Sequence, residues 1–306
     1  MNTPITDNLK HLITTLETEN NSNNKFKIIS FRKAINIISN LDFKIESSEQ
    51  LKDIKGIGDG IKKRIDEIIS SGVLKEIKVN TSTIDELNKL KEITGIGPSK
   101  AKKLLEKNIT FDKLMNNPSA KILSELTHHQ QLGIKFFNDL QKKIPRSVII
   151  EVESFLKKFG FDFTICGSYR RGKEESGDID ILIKENIKTT NLSDIINILT
   201  KKKFLVEHLT TLGSTKYMGI CKLPNFPQFM RIDIRLIRPE SYVYAILYFT
   251  GSKKNNTYMR NKAIKLGYKL NEYGLYNNSN NKSISLNTEE QVYEYLKLPY
   301  IVPTKR

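Results

Sequence analysis

The chain is 306 residues long and carries 50 Lys and Arg against 34 Asp and Glu, a formal net charge of +16. That surplus favours a polyanionic partner, nucleic acid or an acidic membrane surface; no apolar run spans a bilayer and no apolar leader opens the chain, so a soluble, intracellular protein of two or three domains is expected. Two cysteines, Cys166 and Cys221, and four scattered histidines have no metal-ligand spacing, which argues against a zinc site and reads the cysteines as buried, inert thiols.

Residues 1 to about 78 read as helices with lysine-rich polar faces, including 26–40 and 61–70. The polar run Asn80-Thr81-Ser82-Thr83 reads as a hinge or linker. Residues 84 to about 144 are again helical by periodicity, and Pro145 marks the next boundary. Within these stretches Ile54-Lys55-Gly56-Ile57-Gly58-Asp59-Gly60-Ile61 recurs as Ile93-Thr94-Gly95-Ile96-Gly97-Pro98-Ser99-Lys100, each copy followed by a basic helix. Alternate glycines permit a tight turn between two helices and leave amides and a helix amino terminus free to meet a phosphate. This is the helix-hairpin-helix pattern, which binds nucleic-acid backbone without reading sequence. One copy would read equally well as an ordinary helix connection; two copies with the same apolar flanks do not.

From Arg146 the character changes. Helical segments at 148–158 and 192–202 alternate with strand-like runs at 163–166, 178–183, 216–222 and 231–237, the mixed order of an α+β domain. The last segment is aromatic-rich from Tyr242 through Tyr295, and the polar run 277–282 reads as a loop at a hairpin tip.

The chemistry is concentrated in the α+β stretch. In Gly177-Asp178-Ile179-Asp180 the two acids alternate within an apolar run and project from one strand face. Arg231-Ile232-Asp233-Ile234-Arg235 offers a third acid from another strand. Bare carboxylates brought together repel, and a divalent cation, Mg²⁺ or Mn²⁺, removes that repulsion in an oxygen-rich site. Upstream, Gly167-Ser168-Tyr169-Arg170-Arg171-Gly172 supplies small residues, a hydroxyl and guanidinium groups where a triphosphate fits. Glycine, serine and arginine ahead of Asp-x-Asp form the signature of the nucleotidyltransferase superfamily. The bland alternative, a surface turn and an edge strand with two solvated acids, leaves the later Arg-Ile-Asp-Ile-Arg run unexplained.

Taken in order, these motifs resemble the DNA polymerase beta-like, family X DNA polymerases from about Lys25 to the carboxyl terminus, with His128-His129-Gln130, Lys143-Ile144-Pro145-Arg146 and Leu247-Tyr248-Phe249-Thr250-Gly251-Ser252 also in register. The resemblance implies a multidomain α and α+β fold. A helical lyase-like domain would occupy 1–79 and hold the first hairpin, and a helical DNA-binding subdomain 80–146 the second. A catalytic palm over 147–239 and a nucleotide-selecting subdomain over 240–306 would follow. The implied activity is template-directed gap filling in base excision repair: a primer 3′-hydroxyl attacks the α-phosphate of a dNTP at two Mg²⁺ held by Asp178, Asp180 and Asp233.

By the same resemblance Arg146, Ser168, Arg171 and Gly177 hold the triphosphate, and Tyr248, Phe249 and Gly251 face the sugar. Asn256 and Arg260 reach the minor-groove edge of the new base pair and the template. Gly56, Gly58, Gly95, Gly97, Ser99, Lys100 and Arg231 meet DNA. Arg235 is a switch that pairs with Asp180 when open and with the Glu272-Tyr273 region when closed. Main-chain carbonyls at Lys52, Ile54 and Ile57, and at Lys91, Ile93 and Ile96, hold K⁺ or Na⁺. The implied partners are gapped or nicked double-stranded DNA, dNTPs, and a ligase or other repair proteins. A monomer is expected, with no membrane attachment, in the nucleus or, for a virally encoded enzyme, in a cytoplasmic factory or the virion.

Two departures from the family pattern stand out. Lys253 and Lys254 replace an acidic and an apolar residue at a helix start beside the nucleotide. In the first hairpin Arg64 stands where family members with 5′-deoxyribose-phosphate lyase activity use a Schiff-base lysine, and an arginine does not lose the proton this chemistry requires. Phe26, Phe31, Gly60 and Glu76 have changed around it. Lyase activity is therefore expected to be lost or weak, with Lys27 a better substitute than Lys63, whose side chain is turned about 100° away from that of Arg64. The alternatives are a template-independent terminal nucleotidyltransferase and a non-catalytic DNA-binding scaffold.

Overall fold

Apolar side chains spaced three and four apart in the first part of the chain form α1 (Thr3–Thr18), α2 (Asn24–Ser39), α3 (Asp59–Ser71), α4 (Thr81–Glu92), α5 (Pro98–Glu106), α6 (Phe111–Met115), α7 (Ala120–Leu123) and α8 (His128–Lys135). The structure, a computed structural model, describes residues 1–19, 21, 23–77, 81–116, 118–187 and 191–306. It divides into two units, Met1–Ile134 and Lys135–Arg306. No helix among the described residues is long and apolar enough to cross a membrane.

In the first unit Leu9, Leu12, Phe31, Ala34, Ile38, Ile61, Ile65 and Ile68 share one core from α1, α2 and α3. The two hairpins repeat in structure as they do in sequence. Each turns on a glycine of positive φ, Gly56 at 106° and Gly95 at 89°. Each is closed by equivalent backbone bonds, Ile54 N–H to Leu51 and Ile57 N–H to Ile54 in the first, Ile93 N–H to Leu90 and Ile96 N–H to Ile93 in the second. Gly58 and Gly97 then cap α3 and α5 in extended conformation. The second turn is braced by α8: Gln130 Nε2 donates to the Gly95 carbonyl at 3.0 Å, and a Cβ on Gly133 would overlap the Thr94 carbonyl.

The hinge expected at 80–83 is not a hinge over 81–83, which open α4; Asn80 lies outside the described residues. Polar Ser and Thr serve a helix start as readily as a linker, and Ile84, Leu87 and Leu90 supply a buried stripe behind them. The helical character expected up to about residue 144 ends earlier. After α9 (Phe137–Leu140), β1 (Ile144–Pro145) pairs antiparallel with β3 (Glu175–Ser176).

The second unit contains α10 (Arg146–Lys157), β2 (Phe163–Ile165), α11 (Gly167–Arg170), β4 (Ile179–Lys184), α12 (Leu192–Lys201), β5 (Leu205–His208), β6 (Lys216–Cys221) and β7 (Met230–Ile237). Its five-stranded sheet has the order β2-β4-β7-β6-β5, with β4 and β7 parallel and the other neighbours antiparallel. Alternation decides the faces. Ile179, Ile181, Ile183, Ile232 and Ile234 point into a core with Val152 and Leu156 of α10 and Ile195 and Leu199 of α12. The opposite face carries the acids, and further along it Leu182 packs against Cys166 and Ala245.

The chain continues through α13 (Tyr242–Thr250), α14 (Lys253–Lys265), β8 (Tyr268–Asn271), β9 (Gly274–Asn277), β10 (Ser283–Ile284) and α15 (Glu289–Tyr295). The three strands form a separate antiparallel sheet, β10-β9-β8, and 277–282 is the connection between β9 and β10, as expected. Val243, Leu247, Met259, Leu275, Val292 and Tyr293 share its core. The multidomain α and α+β class expected from the sequence is the one observed. Both cysteines are buried and free, and burial pushes the Cys166 thiol up to about 12, so neither serves as a thiolate.

Candidate active site

Asp180 on β4 and Asp233 on β7 are register partners on adjacent parallel strands. Asp178 lies two residues before Asp180, ahead of the first residue of β4. The strict buried and half-buried alternation of β7 keeps Asp233 on the sheet face opposite the apolar core, so the three acids gather at one edge of that face.

Their electrostatics are those of a crowded site. Asp180 is pushed up to about 7, first by burial and then by the charges of Asp178 and Asp233. Burial also raises Asp178, although Arg231 works against the shift. Arg231 Nη2 donates to Asp233 Oδ2 at 3.0 Å and stands 3.7 Å from Asp178 Oδ2, so a guanidinium partly offsets the carboxylates. Asp233 Oδ1 is buried without a hydrogen-bond partner among the described residues.

An orphaned carboxylate oxygen beside two acids, one pushed toward neutrality, is a donor set with spare capacity for a hard cation. The residues fit a divalent metal in chemistry. As the side chains stand, no three of His, Cys, Asp and Glu among the described residues converge into a closed metal cage.

Gly167 brings the turn of α11 against these acids. Its φ is 58°, and a Cβ there would stand 2.7 Å from Asp180 Oδ2. A cleft of about 620 Å³ opens beside it, lined by Gly167, Ser168, Arg171, Asp178 and Asp180 on one side and by Tyr248, Phe249, Gly251, Asn256 and Arg260 on the other. Lys253 and Thr257 also line it. Ser168 Oγ donates to Ser176 Oγ at 2.8 Å, Arg171 Nη1 to the Thr250 carbonyl at 2.7 Å, and Asn256 Nδ2 to the Tyr248 carbonyl at 2.7 Å.

Other predicted residues stand off the cleft wall. Arg146 lies over the Tyr169 ring at 4.4 Å and donates to the Tyr169 carbonyl at 2.7 Å. A Cβ on Gly177 would lie 3.7 Å from Lys143 Nζ. The expected switch pairs are not formed: no ion pair joins Arg235 to Asp180 or to Glu272 among the described residues. Arg235 stacks on Phe249 at 4.6 Å, and Glu272 pairs with Arg260 at 3.6 Å, which itself lies over Tyr248 at 4.8 Å. Each guanidinium thus lies on an aromatic face, and that of Arg260 keeps a carboxylate partner as well. Tyr273 is exposed and accepts at its carbonyl from Ser241 Oγ at 2.8 Å.

The sequence reading offered Arg170 together with Arg171 as guanidinium groups for a triphosphate and gave Arg170 no role of its own. It joins Thr250 Oγ1 at 2.6 Å and Glu289 Oε2 at 2.6 Å, and Glu289 in turn accepts from Arg306 Nη1 at 2.6 Å. Arg170 and Arg171 therefore anchor α11 to the end of α13. The doubled arginine was a visible signal; Glu289, 119 residues away, offered none.

In the first unit a cavity of about 850 Å³ brings Lys27, Phe31, Gly60 and Arg64 together with Lys52, Ile54, Gly56, Ile57 and Gly58. Arg64 donates to both Glu76 carboxylate oxygens and to the Gly60 carbonyl, and faces the Phe31 ring at 5.1 Å. Lys63 lines a neighbouring cavity that it shares with Gly60, Arg64, Lys75 and Glu76. In the second hairpin Lys91 Nζ pairs with Glu17 at 3.1 Å, Ile93 and Ile96 are buried, Ser99 sits in the first turn of α5, and Lys100 Nζ donates to the Glu125 carbonyl.

A mixed sheet presenting paired carboxylates beside a Gly-Ser turn, in a chain that also carries two helix-hairpin-helix turns, defines a nucleotidyltransferase palm with DNA-binding helices. The comparisons with known proteins agree. Family models match in chain order as a helix-hairpin-helix domain over 1–74, the fingers domain of DNA polymerase lambda over 88–141, the DNA polymerase beta palm over 140–239 and the DNA polymerase beta thumb over 245–306. The chain is 32% identical to DNA polymerase lambda of Arabidopsis thaliana over 90% of its length and 57% of the relative. It is 28% identical to DNA polymerase lambda of Rattus norvegicus over 92% of its length and 52% of the relative. It is 25% identical to DNA nucleotidylexotransferase of Xenopus laevis over 92% of its length and 64% of the relative. The chain belongs to the beta-like, family X DNA polymerases. It spans little more than half the length of the two polymerase lambda relatives.

Proposed function

We propose that the protein is a template-directed, gap-filling DNA polymerase of DNA repair. The observation that carries this reading is the register pairing of Asp180 with Asp233, where Asp180 lines, with Asp178, Ser168 and Arg171, the wall of a cleft. In this reading residues 1–79 bind the 5′ side of a gap, 80–146 the duplex backbone, 147–239 carry the chemistry and 240–306 select the nucleotide.

Asp178, Asp180 and Asp233 would hold the divalent cations, which supply charge neutralisation at the α-phosphate and activation of the primer hydroxyl. The primer O3′ forms a bond to the α-phosphorus and the bond to the bridging oxygen of the β-phosphate breaks, releasing pyrophosphate. The hydroxyl proton passes to Asp233, whose Oδ1 has no other partner among the described residues. Ser168 and Arg171 orient the triphosphate, Tyr248, Phe249 and Gly251 border the sugar, and Asn256 and Arg260 exchange their present partners for the edge of the base pair. The carbonyls of Lys52, Ile54, Ile57, Lys91, Ile93 and Ile96 are proposed to hold K⁺ or Na⁺ at the two turns.

The 5′-deoxyribose-phosphate lyase step is proposed to be absent or weak. Arg64 is held by Glu76 and remains a cation, and Lys27 is the candidate for residual activity on the same cavity wall. Borohydride trapping on a single-nucleotide-gapped duplex bearing a 5′-deoxyribose phosphate, with primer extension read in the same reaction, tests both steps. Extension that follows the opposing template base, without a trapped adduct, is the expected result. Incorporation indifferent to the template base would favour a terminal transferase, and a trapped adduct would overturn the reading of Arg64.

A further inference from the structure

α14 runs for 13 residues, Lys253–Lys265, with no acidic side chain among them. Its side chains divide into three faces. Asn255, Met259 and Ala263 are buried. Lys253, Asn256, Thr257 and Arg260 line the nucleotide cleft. Lys254, Tyr258, Asn261 and Lys265, spaced i, i+4, i+7 and i+11, form an exposed stripe. The Tyr258 side chain is engaged by no hydrogen bond or aromatic contact among the described residues, and the residue is 51% exposed.

An exposed ring among lysines, on a helix that carries no acid of its own, has the chemistry for single-stranded nucleic acid. The ring stacks on a base of any identity, and the ammonium groups neutralise the backbone beside it. A paired duplex keeps its base faces stacked internally, so the occupant must be unpaired. The stripe also continues from the cleft: Thr257 on the cleft wall and Tyr258 are consecutive, about 100° apart around the helix. A strand whose next base is read in the cleft would meet the stripe as it leaves.

We propose that the exposed face of α14 is a track for the unpaired template strand, with Tyr258 as its base-stacking platform. This rests on the template-directed reading and extends it to a preference among gaps, since only a gap with unpaired template beyond the coding base reaches Tyr258. The test is fluorescence-anisotropy binding of labelled duplexes with a single-nucleotide gap or a gap of several nucleotides, at one salt concentration. Tyr258→Ala is expected to weaken binding to the wide gap about five-fold or more and to leave the single-nucleotide gap within about two-fold, while Tyr258→Trp retains wide-gap binding. Equal losses on both gaps, or no loss on the wide one, overturn the proposal. Incorporation into the single-nucleotide gap by the same preparations reports separately on the polymerase. Wild-type protein that incorporates nothing sinks that reading, whereas intact incorporation without a gap-width effect sinks only this one.

Discussion

Asp180 shows how one residue carries both the cost and the purpose of the site. Its folded value of about 7 lies above the ordinary 3.8, for burial first and for Asp178 and Asp233 next. A raised carboxyl binds its proton more tightly in the folded protein than in the unfolded chain. The stability it contributes is therefore complete below about pH 4 and is lost as pH rises through about 7. Metal-free protein is expected to melt at a progressively lower temperature across that window, by several degrees, and Asp180→Asn to remove this component. Excess Mg²⁺ should restore the wild type at pH 7 and above. Parallel slopes for the two proteins in chelator would show that Asp180 is not the group responsible. Asp233→Ala removes the proton acceptor proposed above, so single-nucleotide incorporation is expected to fall by about 10²- to 10⁴-fold or more, with binding of gapped DNA little changed. Incorporation at the wild-type rate would end the enzymatic reading.

At the scale of elements, what the sequence made legible was what local pattern controls. The two hairpins were visible because positive φ demands glycine at 56 and 95, and β4 and β7 because alternation over an apolar core leaves a readable trace. The start of α4 was misread because Ser and Thr serve caps and linkers alike. The strands β5 and β8 were missed because they are short and half-polar, and their pairing is decided by other strands, whereas β9 and β10 were legible only through the hairpin-tip loop between them. The present partner of Arg235 was illegible for a related reason: whether its guanidinium meets a carboxylate or, as here, the Phe249 ring is decided by tertiary geometry. Gly133 gives a sharper case, because a glycine inside a helix ordinarily costs about 1 kcal/mol relative to alanine. At this position a methyl would overlap the Thr94 carbonyl, and overpacking of that kind costs about 1–3 kcal/mol. Gly133→Ala is thus expected to destabilise the protein in urea unfolding and to weaken DNA binding through the second hairpin. A gain in stability would mean that α8 does not brace that turn.

For the whole molecule, the net charge of +16 favours a polyanion, and under the proposed function the hairpins add position to that attraction. Lysine-rich surfaces alone would attract any polyanion, and part of the lysine excess accompanies abundant Asn and Ile, as A/T-rich coding would produce. In the proposed reading the hairpins differ from that background in offering fixed backbone amides at glycine turns, a geometry suited to phosphate at defined positions without reading bases. Binding to gapped duplex should therefore depend little on sequence but steeply on salt. Neutralising about four phosphates gives a loss of about 100-fold in affinity between about 50 and 200 mM salt. Replacing Gly95, whose φ of 89° disfavours any L side chain, should reduce the slope as well as the affinity, because phosphate contacts disappear with the turn. Lowering the surface charge at lysines remote from both hairpins should weaken binding more evenly across DNA structures and leave the preference for a gap intact. A slope unchanged by Gly95→Val, measured by anisotropy titration across a salt series, would assign the affinity to diffuse charge and leave the hairpins as structural turns only.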